Sequence, residues 1–323
     1  MGALAPRCKR AGADLRTTCD RPRDLARASD WRAMRLTDHV REHSAAIAAG
    51  AKSVRIVPDR LAAITPEPVG PPEPETHFTE GSREDVARYV LCLTTINFGS
   101  GWWPTIAKRP GMSGYYTMAT GLTERFHGDG AWSNDELRRI TAAEVAEVLG
   151  QQPGHELMSL YADALRQLGR WLGDRPAGKV VDEAGGSAER LAESLAAGMA
   201  FFDDRGYYKR AQIAGPELQR FGVATFKDLD RLTLFADNLV PHVLRVDRAL
   251  VYSEPLATAI DEGRLLPHGS WEQEIRSCAI QAVEQLAGLS GAAPHELDMA
   301  LWSHGQSPSY KAQPRHRHRT VFY

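Results

Sequence analysis

The chain has 323 residues, 43% hydrophobic and 25% charged, with a formal net charge of -2, a composition that builds a sizeable globular core. Near-neutral charge argues against a protein that coats long nucleic acid, which needs a marked Lys/Arg excess; a small phosphorylated ligand needs only one or two local cations. The four cysteines, Cys8, Cys19, Cys92 and Cys278, form no CxxC pair and no metal-ligand spacing, which suits a reducing compartment. No apolar run approaches the roughly 18–20 residues of a spanning helix. Arg7, Lys9 and Arg10 are not followed by the apolar stretch of a secretory signal, so a cytoplasmic protein is expected.

Residues 1–35 are rich in Arg and poor in large apolar side chains apart from Trp31. Such a segment cannot bury enough surface to offset its ordering entropy, and a disordered basic extension is expected there. A true start at Met34 and a basic arm for nucleic acid are the alternatives. A helix is predicted over 37–49, capped by Thr37 or Asp38, then a short β-prone piece over 53–57 and a Pro/Glu-rich loop over 65–76. From Arg83 the chain turns helical, with Val86, Tyr89, Val90 and Leu93 at helical spacing and the apolar set continuing to Ile96. Residues 97–114 form a Gly/Pro/Trp-rich loop. Further helices are predicted over 142–149, 156–172, 188–200 and 271–286, the last stopped by Gly288. Strand-like alternation is scarce, and there is no repeat period or cofactor fingerprint. The expected architecture is mainly α, with residues 36–323 as a single compact helical domain and no cofactor.

The stretch 226–250, FKDLDRLTLFADNLVPHVLRVDRAL, points to chemistry. Asp228 is a good N-cap for a helix carrying Leu229, Leu232 and Phe235 on its apolar side. Pro241 cannot continue that helix but is welcome in the first turn of a new one. The predicted unit is therefore helix, tight turn over 236–240, second helix. Asp237 then lies in the hairpin, where a carboxylate can project into a cleft or simply cap the second helix.

A series of motifs runs in order from about residue 37: His77 in its loop, INFGSGWW (96–103), SGYYTM (113–118), FDD (202–204), YYKRAQ (207–212), FKD, LFAD and VPHVL within 226–244, VYS (251–253), EIRSC (274–278), DMALW (298–302) and HRHRTVFY (316–323). Together they resemble the queuosine salvage proteins, which are queuosine 5′-phosphate N-glycosylases. The Gly99–Gly101 segment departs from the family's more aromatic form. The resemblance implies a compact helical domain like that of helix-hairpin-helix DNA glycosylases, acting on a free nucleotide to release queuine for tRNA modification. It places the family's FAD aspartate on Asp237 and its pocket His and Phe on His77 and Phe235.

That reaction sets requirements. Breaking a ribosyl C–N bond passes through a cation-like sugar, so a carboxylate beside C1′ stabilises charge or attacks; Asp237 is the candidate. Queuine is a 7-deazaguanine and lacks the N7 at which a purine leaving group is protonated. Its cationic arm calls for a carboxylate, Asp204 first and Asp228 second. Phe235 and Tyr207 or Tyr208 are candidates to stack on the base, and Lys209 and Arg210 to hold the 5′-phosphate. Each has a structural alternative: a cap for the aspartates, core packing for the aromatics, a solvated pair for the cations. Trp102, Trp103 and Trp302 read as core or pocket wall, and the HRHR run as part of a docked C-terminal tail. No HExxH or Cys/His cage supports a metal. No membrane or stable nucleic-acid partner is expected. The rival functions are a helix-hairpin-helix protein that binds or repairs nucleic acid, and a non-catalytic queuine-binding module.

Overall fold

The structure, a computed structural model, describes residues 34–65 and 67–323. Residues 1–33, most of the expected basic extension, and Pro66 lie outside the described residues. The chain folds as α1 (Leu36–Ala49), β1 (Val54–Ile56), α2 (Pro58–Leu61), α3 (Arg83–Ile96), α4 (Gly114–Gly128), α5 (Asn134–Arg139), α6 (Ala142–Val148), α7 (Glu156–Leu172), α8 (Ala177–Glu183), α9 (Ala188–Gly198) and α10 (Lys209–Arg220). It continues with α11 (Val240–Val246), β2 (Leu250–Tyr252), α12 (Glu254–Asp261), α13 (Ser270–Ser290), α14 (Pro294–His304) and α15 (Pro308–Lys311). The two strands pair antiparallel, Arg55 opposite Val251. The architecture is mainly α, compact, with few short strands.

Two long helices organise the core. Helix α3 starts where Ser82 accepts the Asp85 N–H, and every residue from Val86 to Ile96 is buried, the pattern of a helix covered on all faces. It packs against α4, α7, α8 and α10. Helix α13 packs against α1, α2, α11, α14 and both strands. It runs past Gly288 and closes at Gly291, whose φ of 76° supplies the left-handed cap. Gly288 is thus tolerated inside the last turns and does not stop the helix.

The predicted helix after Asp228 does not form. One 3₁₀ turn spans Leu229–Arg231, and the chain then runs extended and buried from Leu232 to Ala236. Side chains from elsewhere satisfy its backbone in place of helical bonds. The Thr233 N–H goes to Gln212 Oε1 at 3.0 Å, the Phe235 N–H goes to Asp298 Oδ1 at 3.1 Å, and the Ala236 carbonyl accepts from Arg276 Nε at 2.9 Å. With these backbone groups taken by side chains from distant parts of the chain, the segment stays extended. The second half of the predicted unit does appear, as α11 with Pro241 in its first turn.

The C-terminal tail docks on the body. The Tyr323 carbonyl accepts from Gly99 N–H at 3.0 Å, the Arg317 carbonyl accepts from Leu266 N–H at 2.8 Å, and Tyr323 is buried. Among the described residues no helix is long and apolar enough to cross a membrane.

Candidate active site

A cavity of about 310 Å³ opens where α3 and α10 face the 235–239 segment and α14. The loop 68–73, the first turn of α4 and the tail around Lys311 and Arg315 complete its wall. Its size and mixed lining suit one small organic ligand.

The charged centre is built from three elements. Asp237 sits just ahead of α11, and its Oδ1 accepts the N–H groups of Leu239 at 2.7 Å and Val240 at 3.3 Å. This fixes the carboxylate at the helix start, where the backbone favours negative charge. Asp298, on α14, is buried and accepts the Phe235 N–H. Burial, reinforced by Asp237, lifts its carboxyl well above the usual range, which favours the protonated form, the one able to donate a hydrogen bond. Lys209 is the first residue of α10, following Tyr208, whose φ of 51° makes the sharp entry. A cation at a helix N-terminus opposes the macrodipole, and burial pushes the Lys209 ammonium down; the carboxylates of Asp237 and Asp298 pull it back. The placement is costly unless those acids need a cation near them.

Further along α10, Ile213, Glu217 and Arg220 line the same wall, at the spacing of one helical face. Burial raises the Glu217 carboxyl against the opposing pull of Arg220, 3.4 Å away. Opposite them stands an aromatic group. Tyr115 meets Trp302 edge-on at 5.3 Å between centroids, Tyr116 meets Trp302 at 6.0 Å, and His77 lies 5.9 Å from Tyr115. The His77 ring is pinned between Thr76 Oγ1 at 2.9 Å and Tyr115 Oη at 3.0 Å. Burial, with Arg220 nearby, drives its pKa down to about 4, so the ring stays neutral and acts by hydrogen bonding and shape. Among the described residues no group of His, Cys, Asp and Glu could hold a metal ion.

A carboxylate at a helix start, an acid with a raised pKa, a buried lysine lining the same cavity and an aromatic wall would suit hydrolysis at a nucleotide sugar, and comparison with known proteins fits this. The family model described as queuosine salvage protein matches residues 76–323. The chain belongs to this family. A relative named queuosine 5′-phosphate N-glycosylase/hydrolase from Sphaerobacter thermophilus is 32% identical over 274 residues, covering 77% of this chain and 84% of that protein. Relatives of the same name from Dictyostelium discoideum and Nematostella vectensis are each 28% identical, covering 77% of this chain and 80% and 85% of their own.

Of the residues given a catalytic or substrate-binding role in the sequence, Asp237, His77, Phe235 and Lys209 meet on the wall of this cavity, which Trp103 and Trp302 also line. The others are engaged away from it. Asp204 pairs with Arg276 at 2.5 Å, both side chains buried. Arg210 donates to the backbone carbonyls of Thr95, Phe201 and Val321 and lies over the rings of Phe98 and Phe202. Tyr207 donates to the Gln273 carbonyl at 3.1 Å, pairs with Ser277 and lies under the Arg276 guanidinium. Tyr208 is the buried entry residue of α10. Asp228 caps α9, accepting from Ala188 N–H at 2.7 Å and Ser187 Oγ–H at 2.5 Å; it is a cap, but of a different helix from the one predicted.

The sequence reading gave no role to Asp298, Glu217, Arg220, Arg315, Tyr115 or Tyr116. Three of these lie in motifs already noted, DMALW and SGYYTM. Glu217 and Arg220 were reachable by extending the helical face from Lys209, whereas Arg315 has no local pattern around it that marks a site.

Proposed function

We propose that this chain hydrolyses the N-glycosidic bond of queuosine 5′-phosphate and releases queuine, with Asp237 beside the sugar carbon. The observation that carries the reading is Asp237, Asp298 and Lys209 together on one cavity wall, in a chain whose relatives are named for that reaction. As the C–N bond lengthens, positive charge grows on the ribose. The Asp237 carboxylate, already oriented by two N–H groups, stabilises that charge or attacks it, and needs no reorganisation to do so. Asp298 donates a hydrogen bond to the departing base, which has carbon where a purine has N7. Lys209 offsets the negative charge that Asp237 brings to the cavity. The aromatic wall and Phe235 hold the base. Glu73 and Glu217, which line the cavity, take the cationic arm in place of Asp204 and Asp228.

The substrate in this reading is a free nucleotide, supported by the size of the cavity and the formal net charge of -2. Residues 36–323 then act as one domain, supported by a single hydrophobic cluster running from Leu36 to Tyr310. Likeness to helix-hairpin-helix DNA glycosylases is part of the same proposal, supported by an aspartate placed directly ahead of a proline-bearing helix.

The test incubates the purified chain with queuosine 5′-phosphate, with the unphosphorylated nucleoside and with damaged duplex DNA, and follows free base by chromatography. Queuine released from the nucleotide is the expected result. Binding without release, or release only from DNA, overturns the reading.

A further inference from the structure

We infer that Lys311, Arg315 and Lys108 form a phosphate-binding subsite next to Asp237, the specificity determinant for a 5′-phosphorylated substrate; this rests on the function proposed above. A side pocket of about 230 Å³ adjoins the main cavity, lined among others by Lys108, Ser113, Leu239, His242, Lys311 and Arg315. Ser113, Leu239, Lys311 and Arg315 also line the main cavity, so the two spaces share a wall. Their shared wall includes Leu239, two residues from Asp237.

Among the described residues no carboxylate lines this side pocket. The neighbouring ion pair takes up Arg245 and Asp261 at 2.7 Å, and among the described residues none joins Lys108, Lys311 or Arg315. They also repel one another. After burial itself, Arg315 is what pushes Lys311 down, and Arg315 with Arg317 pushes Lys108 down. Of the carboxylates, Asp237 is the one that offsets the burial of Arg315. Like charges gathered without counter-ions are unfavourable in the free protein, and an anion relieves that cost.

The layout follows the substrate's own connectivity. In a nucleoside 5′-phosphate the phosphate lies on the far side of the sugar from the base. With Asp237 at the sugar, the aromatic wall takes the base and the Lys311–Arg315 side takes the phosphate. A dianion there meets an arginine able to bind it bidentately and two point charges. Arg210 cannot serve because it is committed to backbone carbonyls, and the Lys209 charge already has Asp237 and Asp298 as its electrostatic partners.

The test compares kcat/KM for the nucleotide and the unphosphorylated nucleoside in the wild-type chain, Lys311→Ala, Arg315→Gln and Lys209→Ala, with calorimetric binding of ribose 5-phosphate alongside. The nucleotide-over-nucleoside ratio falls roughly ten- to a hundredfold in the first two variants, the loss expected for a charge-assisted hydrogen bond, and ribose 5-phosphate binding weakens in parallel. Lys209→Ala loses both substrates alike. Lys311 is exposed, so its truncation leaves the core intact and a melting curve confirms folding. An unchanged ratio in Lys311→Ala and Arg315→Gln overturns the subsite, as does a wild-type chain that does not bind ribose 5-phosphate. Should the wild-type chain release base from neither substrate, the proposed function fails separately. Ribose 5-phosphate then still decides the subsite, weaker binding in the two variants supporting it and equal binding overturning it.

Discussion

Lys209 and Arg210 are neighbours in the chain and both are buried, yet their surroundings differ in kind. Arg210 sits among backbone carbonyls and ring faces, and burial pushes its pKa down to about 9 while it ties together α3, the 3₁₀ turn at Ala200–Phe202 and the C-terminal tail. Lys209 faces a cavity, with the two acids Asp237 and Asp298 as its electrostatic partners. The same contrast holds for the acids. Asp204 is locked to Arg276 between the rings of Tyr207 and Tyr323, whereas Asp237 and Asp298 border open space. Burial works against the Arg276 charge, and Asp204 and Glu272 overcome it and hold the guanidinium above its usual range. Burial alone therefore does not separate structural from functional charge. What separates them is whether the protein itself supplies the partners.

Three substitutions press on that contrast. The largest effect is expected at the closed cluster. Asp204→Ala leaves the buried Arg276 with Glu272 as its one remaining acid partner among the described residues, and removing one member of a buried pair costs about 3–5 kcal/mol. Urea unfolding measures it, and a cost below about 1 kcal/mol would place Asp204 outside the structural class. At the open site the effect falls on rate instead of stability. Asp237→Asn lowers kcat by roughly a hundred- to a thousandfold while the melting temperature holds, because Asn also caps the Leu239 and Val240 N–H groups. Turnover within a few-fold of wild type would sink the role given to Asp237.

The smallest effect concerns pH. Folding raises the Asp298 pKa through burial and the nearby Asp237. The stability this contributes is whole below the unfolded value of about 3.9 and fades as pH climbs through the higher folded value. Because the protonated form is the donor, kcat/KM falls on the alkaline side by about tenfold per pH unit. Asp298→Asn keeps a donor that cannot titrate, costs about tenfold or less at neutral pH, and removes that alkaline limb. A limb that persists in Asp298→Asn assigns it to another group.

Much of the architecture was legible from periodicity. Helices α1, α3, α6, α7 and α9 lie within two residues of the predicted bounds, because each carries an apolar face at helical spacing and a clear cap or stop. The segment after Asp228 misled for the converse reason. Leu229, Leu232 and Phe235 have helical spacing, but Gln212, Asp298 and Arg276 reach in from distant parts of the chain and take the backbone groups that a helix would have used. No local pattern records such partners.

The sequence by itself determined that this is a mainly helical protein, that its motifs match one family, and that Asp237 stands just before a proline-led helix. Those properties depend on residue type and near-neighbour spacing, which a string of letters contains. The tertiary structure decided which charges are compensated: it sent Asp204, Arg210 and Asp228 into the scaffold and brought Asp298, Glu217 and Arg315 to the cavity. Coulomb interaction and desolvation depend on distances between residues far apart in the chain, and folding alone sets those distances.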